Sequence, residues 1–99
     1  MLNIQKTQED DSILYQLEGR LDTVTAPELE ASLQDALVEA TNLVLDFEKL
    51  EYISSAGLRV LLSAQKIISN QGTMKVIHVN ETIMDIFEVT GFDEILTIE

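Results

Sequence analysis

The 99-residue sequence contains no cysteine and no tryptophan, and it has one proline and one histidine. Without cysteine there is no disulfide framework and no thiolate chemistry, which suits a reducing compartment. No cluster of His and Cys has the spacing of zinc ligands. No apolar run approaches the roughly 18 residues of a membrane-spanning helix, and the N-terminal segment turns polar after Ile4, unlike a signal peptide. We therefore expect a soluble, cytoplasmic protein without a cofactor or a metal.

Basic residues are also scarce. Six Lys and Arg stand against eighteen Asp and Glu, so the formal net charge is −12. Such a charge repels the phosphates of nucleic acids and of anionic membranes, and neither direct nucleic-acid binding nor membrane insertion is expected. It favours a protein partner with a basic surface. The alternative is that the charge serves solubility alone.

Motifs of nucleotide-binding proteins and hydrolases are missing as well. Nothing in the sequence matches G-x-x-x-x-G-K-[ST] or G-x-G-x-x-G, and the serines of S-S-A-G-L do not stand in a G-x-S-x-G elbow. A serine nucleophile also needs a base beside it, and His78 is the one histidine available. Its place inside a predicted strand favours a structural role in the core or at a sheet edge. We expect the protein not to be an enzyme.

The apolar pattern predicts one domain over residues 1–99. Hydrophobic residues make up 45% of the chain, enough for a small core. Strand-like alternation and helix-like spacing follow one another in the order β-β-α-β-α-β-α-β. The predicted strands lie near residues 2–4, 13–17, 42–47, 74–79 and 92–98. The predicted helices begin at Thr25, at the serine pair 54–55 and at Asn80, and the first runs to Ala40.

This element order predicts the fold class. A turn cluster at 9–12 joins the first two strands into an antiparallel hairpin. The β-α-β-α-β portion demands parallel strands with right-handed crossovers. The predicted fold is therefore α/β, a mixed, mostly parallel β-sheet flanked by helices.

Local signals mark the helix ends. The segment T-A-P-E at 25–28 fits a capping box, in which the Thr25 side chain accepts from the amide of Glu28 and Glu28 reaches back. Asn80 is the predicted N-cap of the last helix, which Gly91 closes. Gly72 suits the C′ position of the helix that follows the serine pair.

The segment Y-I-S-S-A-G-L-R, residues 52–59, raises the main functional question. The serine pair lies where a strand gives way to a helix, so one hydroxyl is expected to cap that helix, and we assign this to Ser55. The small residues Ala56 and Gly57 leave the backbone approachable, and a helix N-terminus stabilises an anion. A phosphate on the cap serine would lie in that field. The leucines that follow are predicted to belong mainly to the core: Leu58, Leu61 and Leu62.

A second segment, G-R-L-D-T-V-T-A-P-E-L at 19–29, also joins a strand to a helix. Asp22 in this segment fits an Asx-type turn. If both segments leave parallel strands, they lie together at the carboxyl edge of the sheet, where α/β folds place their sites. Two interpretations of Asp22 therefore stay open. In one it only shapes the turn, and in the other it lies near the serine pair and takes part in a site.

These segments carry a family resemblance. The runs G-R-L-D-T-V-T-A-P-E-L, then L-V-L-D-F-E-K-L-E-Y-I-S-S-A-G-L-R-V-L-L, then the closing T-G-F-D-E-I-L, resemble a STAS domain, and more narrowly the stand-alone bacterial anti-sigma-factor antagonists. The resemblance covers nearly the whole chain and implies the STAS fold.

The resemblance also implies a mechanism. In that family the serine two residues before the glycine of this turn is phosphorylated, which here is Ser55. The kinase is the anti-sigma factor, using ATP, and a PP2C-type phosphatase removes the phosphate. The unphosphorylated antagonist binds the anti-sigma factor and frees the sigma factor. The implied partner surface is the 19–25 loop together with the helix start from Ser54 to Arg59. Its named residues are Asp22, Thr23, Ser54, Ser55, Ala56, Gly57 and Arg59.

Two features depart from the family pattern. Many relatives carry Asp immediately before the phosphorylated serine, where this chain has Ser54, so Ser54 is the second choice for the modified residue. Many relatives also have a further C-terminal helix, and without it one flank of the sheet is expected to be less covered. The family also includes a subunit of a lipid-transport ATPase complex and scaffolds of sensor complexes (stressosomes), which stay open as alternative functions.

Overall fold

The computed structural model describes residues 1–38 and 41–99 and contains five strands and four helices in that part of the chain. The strands are β1 (Leu2–Glu9), β2 (Ser12–Leu21), β3 (Asn42–Ile53), β4 (Thr73–Ile77) and β5 (Thr97–Ile98). The helices are α1 (Ala26–Ala36), α2 (Ser55–Ile68), α3 (Glu81–Thr90) and the single turn α4 (Phe92–Ile95).

The strands form one sheet in the order β1-β2-β3-β4-β5. β1 and β2 pair antiparallel and are closed by a two-residue turn in which Asp10 has a φ of 53°. All other neighbours pair parallel. The predicted hairpin and the mixed, mostly parallel sheet are confirmed.

All three crossover helices lie on one face of the sheet. The strand order is sequential, so each right-handed crossover places its helix on the same side. The burial of β2 agrees, because its apolar residues at 13, 15, 17 and 21 are buried while Gln16, Glu18 and Arg20 between them are exposed. We call the opposite side of the sheet, which carries these three exposed residues, the open face.

The core lies between this sheet and its helices. Fully buried leucines of α1 and α2, such as Leu33 and Leu61, cover the strands. The rings of Phe47 in β3 and Phe87 in α3 lie 6.4 Å apart between centroids. Leu58 and Leu61 belong to this core as predicted, whereas Leu62 is half-buried.

The helix ends agree only partly with the predictions. Asn80 caps α3, since its Oδ1 accepts from the amide of Ile83, and Gly91 ends the helix with a φ of 80°. The predicted C′ role of Gly72 is wrong. α2 ends before it, and a Cβ at Gly72 would come within 1.8 Å of the carbonyl oxygen of Thr41. Gly72 thus permits close backbone contact.

Several predicted boundaries also change. The first three strands run further than predicted, to Glu9, Leu21 and Ile53. α1 ends at Ala36, and the predicted end at Ala40 lies outside the described residues. β4 ends at Ile77, so the strand predicted over 74–79 is too long at its end. The segment predicted as a strand at 92–98 is mostly the turn α4, followed by the two residues of β5.

Candidate functional site

The two candidate segments meet at the carboxyl edge of the sheet. β2 and β3 are parallel, and their last residues, Leu21 and Ile53, are partners in the ladder. One step further, the amide of Ser54 donates to the carbonyl oxygen of Leu21 at 2.9 Å. The loop after β2 and the start of α2 are therefore neighbours, as the parallel topology predicts.

Ser54 caps α2, and the assignment of the cap to Ser55 is wrong. Ser54 has extended backbone angles, and its Oγ accepts from the amide of Gly57 at 3.3 Å. A cap residue needs this extended backbone because its side chain must reach the amides of the first turn. Ser55, the next residue, is already helical.

Ser55 lies in the first turn of α2 with its side chain exposed. Its hydroxyl has no hydrogen-bond partner among residues 1–38 and 41–99. The amides of Ser55 and Ala56 also lack a partner there, as is usual at a helix N-terminus. No acidic residue occupies the first turn. Because Ser54 does the capping, the Ser55 hydroxyl is accessible and uncommitted, in the positive field of the helix end.

Gly57 supports this surface from below. We predicted it as part of the partner surface, but the residue is buried. A Cβ at Gly57 would come within 2.8 Å of side-chain atoms of Leu21 and of Ile53. The absence of a side chain lets α2 begin directly against the ends of β2 and β3.

Asp22 organises the loop between β2 and α1. Its Oδ1 accepts from the amides of Val24 and Thr25, each at 3.0 Å, so the predicted Asx-type turn is confirmed. The bond from the Thr25 amide is the main cause that lowers the pKa of the Asp22 carboxyl, and the bond from the Val24 amide adds to it, since both donors stabilise the ionised form.

Thr25 is the residue of this loop that the sequence reasoning misjudged. Its hydroxyl accepts from the amide of Asp22 and donates to the carbonyl oxygen of Arg20, both at 2.8 Å. It makes no cap bond to α1, so the predicted capping box with Glu28 is wrong. Thr25 is 3% exposed, and a buried hydroxyl with two partners fixes the loop.

The outer surface of the site includes Arg20, Thr23 and Val24, which belong to the predicted loop over residues 19–25. The guanidinium carbon of Arg20 lies 4.6 Å above the Tyr52 ring centroid, and Arg20 Nε lies 4.0 Å from Asp22 Oδ2. Thr23 is exposed, and Val24 beside it is 80% exposed. The exposed positions of this loop agree with the expectation that it contributes to a surface, while the contact between Arg20 and Tyr52 was not predicted.

Arg59 lies on the same side of α2 as Ser55. The two residues are four apart, which places them one above the other on a helix. Arg59 is exposed and forms no ion pair with any residue in the described part of the chain. The Arg59 guanidinium therefore lies about one helical turn from the Ser55 hydroxyl.

His78 lies far from both serines. It follows the end of β4 with a φ of 58°, and its Nδ1 lies 2.9 Å from Oδ1 of Asp46. This hydrogen bond raises the pKa of His78. Asp46 precedes Ser54 by eight residues of extended chain, a separation on the order of 20 Å. The predicted place of His78 within a strand is wrong, and it is not positioned as a base for Ser55.

The sequence model of the STAS-domain family matches residues 3–99 of this chain. The chain belongs to the STAS-domain family.

Two curated relatives of this STAS domain carry related names. The anti-sigma-B factor antagonist of Bacillus subtilis is 26% identical over 98 residues, which cover 98% of this chain and 90% of the relative. BtrV of Bordetella bronchiseptica, whose name assigns it provisionally to the anti-sigma factor antagonists, is 35% identical over 85 residues, which cover 84% of this chain and 73% of BtrV.

The fold of this STAS domain is also that of a solved structure. The anti-sigma factor antagonist SpoIIAA from Bacillus, in its unphosphorylated form, superposes with a TM-score of 0.78 at 18% identity, covering 98% of this chain and 87% of that chain. Its phosphorylated form gives a TM-score of 0.77 at 18% identity, covering 98% and 91%. No helix in residues 1–38 and 41–99 is long and apolar enough to cross a membrane.

The STAS domain brings most of the predicted site residues together at one edge. The exposed members are Thr23, Ser55 and Arg59, and the partly exposed ones are Asp22, Ser54 and Ala56. Gly57 alone lies beneath this set. We call these six surface residues, with Val24, the switch surface.

Proposed function

We propose that this STAS domain is an anti-sigma-factor antagonist whose binding is switched off by phosphorylation of Ser55. Its unphosphorylated form binds an anti-sigma factor through the switch surface and thereby releases a sigma factor. The names of its relatives support this class of partner. The observation that carries the choice of residue is the accessible, unpartnered hydroxyl of Ser55 beside a neighbour that already caps the helix.

The helix end explains how a phosphate can switch binding without unfolding the domain. Phosphorylation adds about −1.5 to −2 charges at neutral pH. At the first helical position those charges meet the positive end of α2, the unpartnered amides of Ser55 and Ala56, and Arg59 one turn away. The fold therefore tolerates the group. A partner that covers Ser55 would have to desolvate that charge beside Asp22, which opposes binding.

The partner is an anti-sigma factor that is itself a serine kinase and uses ATP. A PP2C-type phosphatase restores the binding form, and the proteins act in the cytoplasm. The net charge of −12 favours a partner with a basic surface, because complementary charges speed association.

Calorimetric titration of the anti-sigma kinase with three forms of the chain tests this function. We expect the wild type to bind and displace the sigma factor, and Ser55→Asp to bind much more weakly. Ser63→Asp is the matched control, since Ser63 is an exposed serine of the same helix two turns further on. It should bind like the wild type, and all three should unfold at nearly the same temperature.

Other results would contradict the proposal. Equal binding of Ser55→Asp and wild type would show that charge at Ser55 does not control the interface. Stable co-purification with a transport ATPase or a sensor complex, insensitive to Ser55→Asp, would favour the other known roles of the family. A large fall in the unfolding temperature of Ser55→Asp would assign Ser55 a structural role.

A further inference from the structure

We propose that Asp46, Glu48 and His78 form a binding site for one divalent cation of the zinc class on the open face of the sheet. One nitrogen and two carboxylate groups meet there: the ligand atoms of the three side chains lie within 4.8 Å of one another. The site is separate from the switch surface, on the order of 20 Å away along β3.

The three side chains come from two neighbouring strands. Asp46 and Glu48 are two apart on β3, at a bulge where the ladder with β2 shifts register, and the Glu48 amide donates to Asp46 Oδ1 at 2.9 Å. Asp46 is the ladder partner of Ile77, the last residue of β4, so His78 lies beside it. The left-handed backbone of His78, with a φ of 58°, turns the chain at this point, and Nδ1 lies 2.9 Å from Asp46 Oδ1.

The environment of Asp46 points to a ligand. The residue is 8% exposed, and a buried carboxylate is normally paired or bound to a metal ion. Its Oδ1 accepts from the Glu48 amide and contacts His78. Its Oδ2 has no protein partner among the residues that the structure describes. The Asp46 side chain keeps 11% of its surface exposed, so Oδ2 reaches solvent and is free to bind an ion.

Glu48 adds a second reason. Its carboxylate lies within 4.8 Å of Asp46, and like charges at such distances disfavour each other. Both residues line a cavity of about 60 Å³ on the open face. Lys49 and Glu18 also line the cavity. Among the described residues of the lining, Lys49 is thus the one cation, against the carboxylates of Glu18, Asp46 and Glu48. A bound cation would relieve the repulsion between these carboxylates.

The donor set fits zinc better than magnesium or calcium. Zinc accepts imidazole and carboxylate ligands at about 2.0–2.2 Å, so two ligands of one ion lie within about 4 Å of each other. Glu48 is exposed, and rotation of its side chain closes the remaining gap. Magnesium and calcium prefer oxygen ligands alone. Three protein ligands leave a further position for water.

Titration of the full chain with zinc chloride, followed by calorimetry and by NMR of the imidazole, tests the site. Because His78 is the single histidine of the sequence, its ring signals report on one site only. We expect saturable 1:1 binding that shifts the His78 signals, and little effect of magnesium chloride. Glu48→Gln and His78→Gln should each weaken zinc binding at least about tenfold, since even outer partners of metal ligands contribute that much.

Lys49→Gln is the matched control for Glu48→Gln. It is the neighbouring residue, it lines the same cavity, and it loses one charge of the opposite sign, so zinc should bind at least as tightly as to the wild type. The proposal is wrong if zinc does not saturate at millimolar concentration, or if the Glu48 and His78 variants bind like the wild type, because the ion then binds elsewhere on the acidic surface. Neither result bears on phosphorylation of Ser55.

Discussion

The amide of Ser54 donates a hydrogen bond to the carbonyl oxygen of Leu21, 2.9 Å away. This bond continues the β2–β3 ladder by one residue beyond Ile53, and it joins the two loops that carry the switch surface. Since both partners are backbone groups, side-chain changes at positions 22, 54 or 55 leave this junction in place. Such variants therefore test individual side chains while the backbone contact between the two segments is unchanged.

The two serines should differ in their effect on stability. Ser54→Ala removes the hydroxyl that caps α2 and should lower the free energy of unfolding by about 1 kcal/mol. Ser55→Ala removes an exposed hydroxyl without a partner and should change it by less than about 0.5 kcal/mol. Urea unfolding of both variants measures this difference. Equal losses would contradict the assignment of the cap to Ser54.

The Asp22 carboxylate should make the loop sensitive to acid. Its pKa is lowered in the folded chain, so its stabilising contribution is complete above the unfolded pKa of about 3.9 and disappears as the pH falls through the folded pKa. Asp22→Asn should therefore unfold at lower urea concentration than the wild type at pH 7, and the gap should narrow as the pH falls below about 4. A gap independent of pH would contradict this account.

Thr25 should be required for its hydroxyl, and not for its shape. Thr25→Val keeps the volume but leaves the amide of Asp22 and the carbonyl of Arg20 without their partner, which should cost about 1–3 kcal/mol. Thr25→Ser keeps both bonds and should lose less. Chemical unfolding of the two variants checks this order, and a valine variant as stable as the serine variant would refute it.

Gly57 should resist even the smallest side chain. Alanine is favoured over glycine within helices by up to about 1 kcal/mol, but its Cβ would lie 2.8 Å from atoms of Leu21 and Ile53. Overpacking of this kind costs about 1–3 kcal/mol, so we expect Gly57→Ala to be destabilised overall and its binding to the anti-sigma factor to weaken. Thermal unfolding checks the predicted loss of stability. An unchanged or raised midpoint would show that β2 and β3 shift to accommodate the added Cβ.

Much of the fold follows from local sequence patterns. The alternation in β1 and β2, the turn at 9–12 and the helical spacing after residues 25, 54 and 80 all predict elements that the structure contains. The parallel order then follows from the right-handed crossover rule. Element ends were less predictable, because β4 stops where His78 turns toward Asp46, a residue 32 positions earlier.

The side-chain contacts of the site were also less predictable than its place in the fold. The sequence brings Asp22 and the serine pair to one edge, but it does not decide which serine caps the helix, because either could adopt the extended backbone of a cap. Thr25 fits the capping-box pattern, yet its hydroxyl binds β2 and the loop instead. The cluster of Asp46, Glu48 and His78 escapes a search for spaced metal ligands, because His78 joins the two carboxylates only through the pairing of β3 and β4.

The most direct test of the switch is the mapping of phosphate by mass spectrometry after incubation with the anti-sigma kinase and ATP. Wild type and Ser54→Ala should each gain one phosphate on residue 55, and Ser55→Ala should gain none. Phosphate on residue 54 of the wild type, or phosphorylation of Ser55→Ala, would contradict the central claim that Ser55 is the switch and Ser54 its structural neighbour.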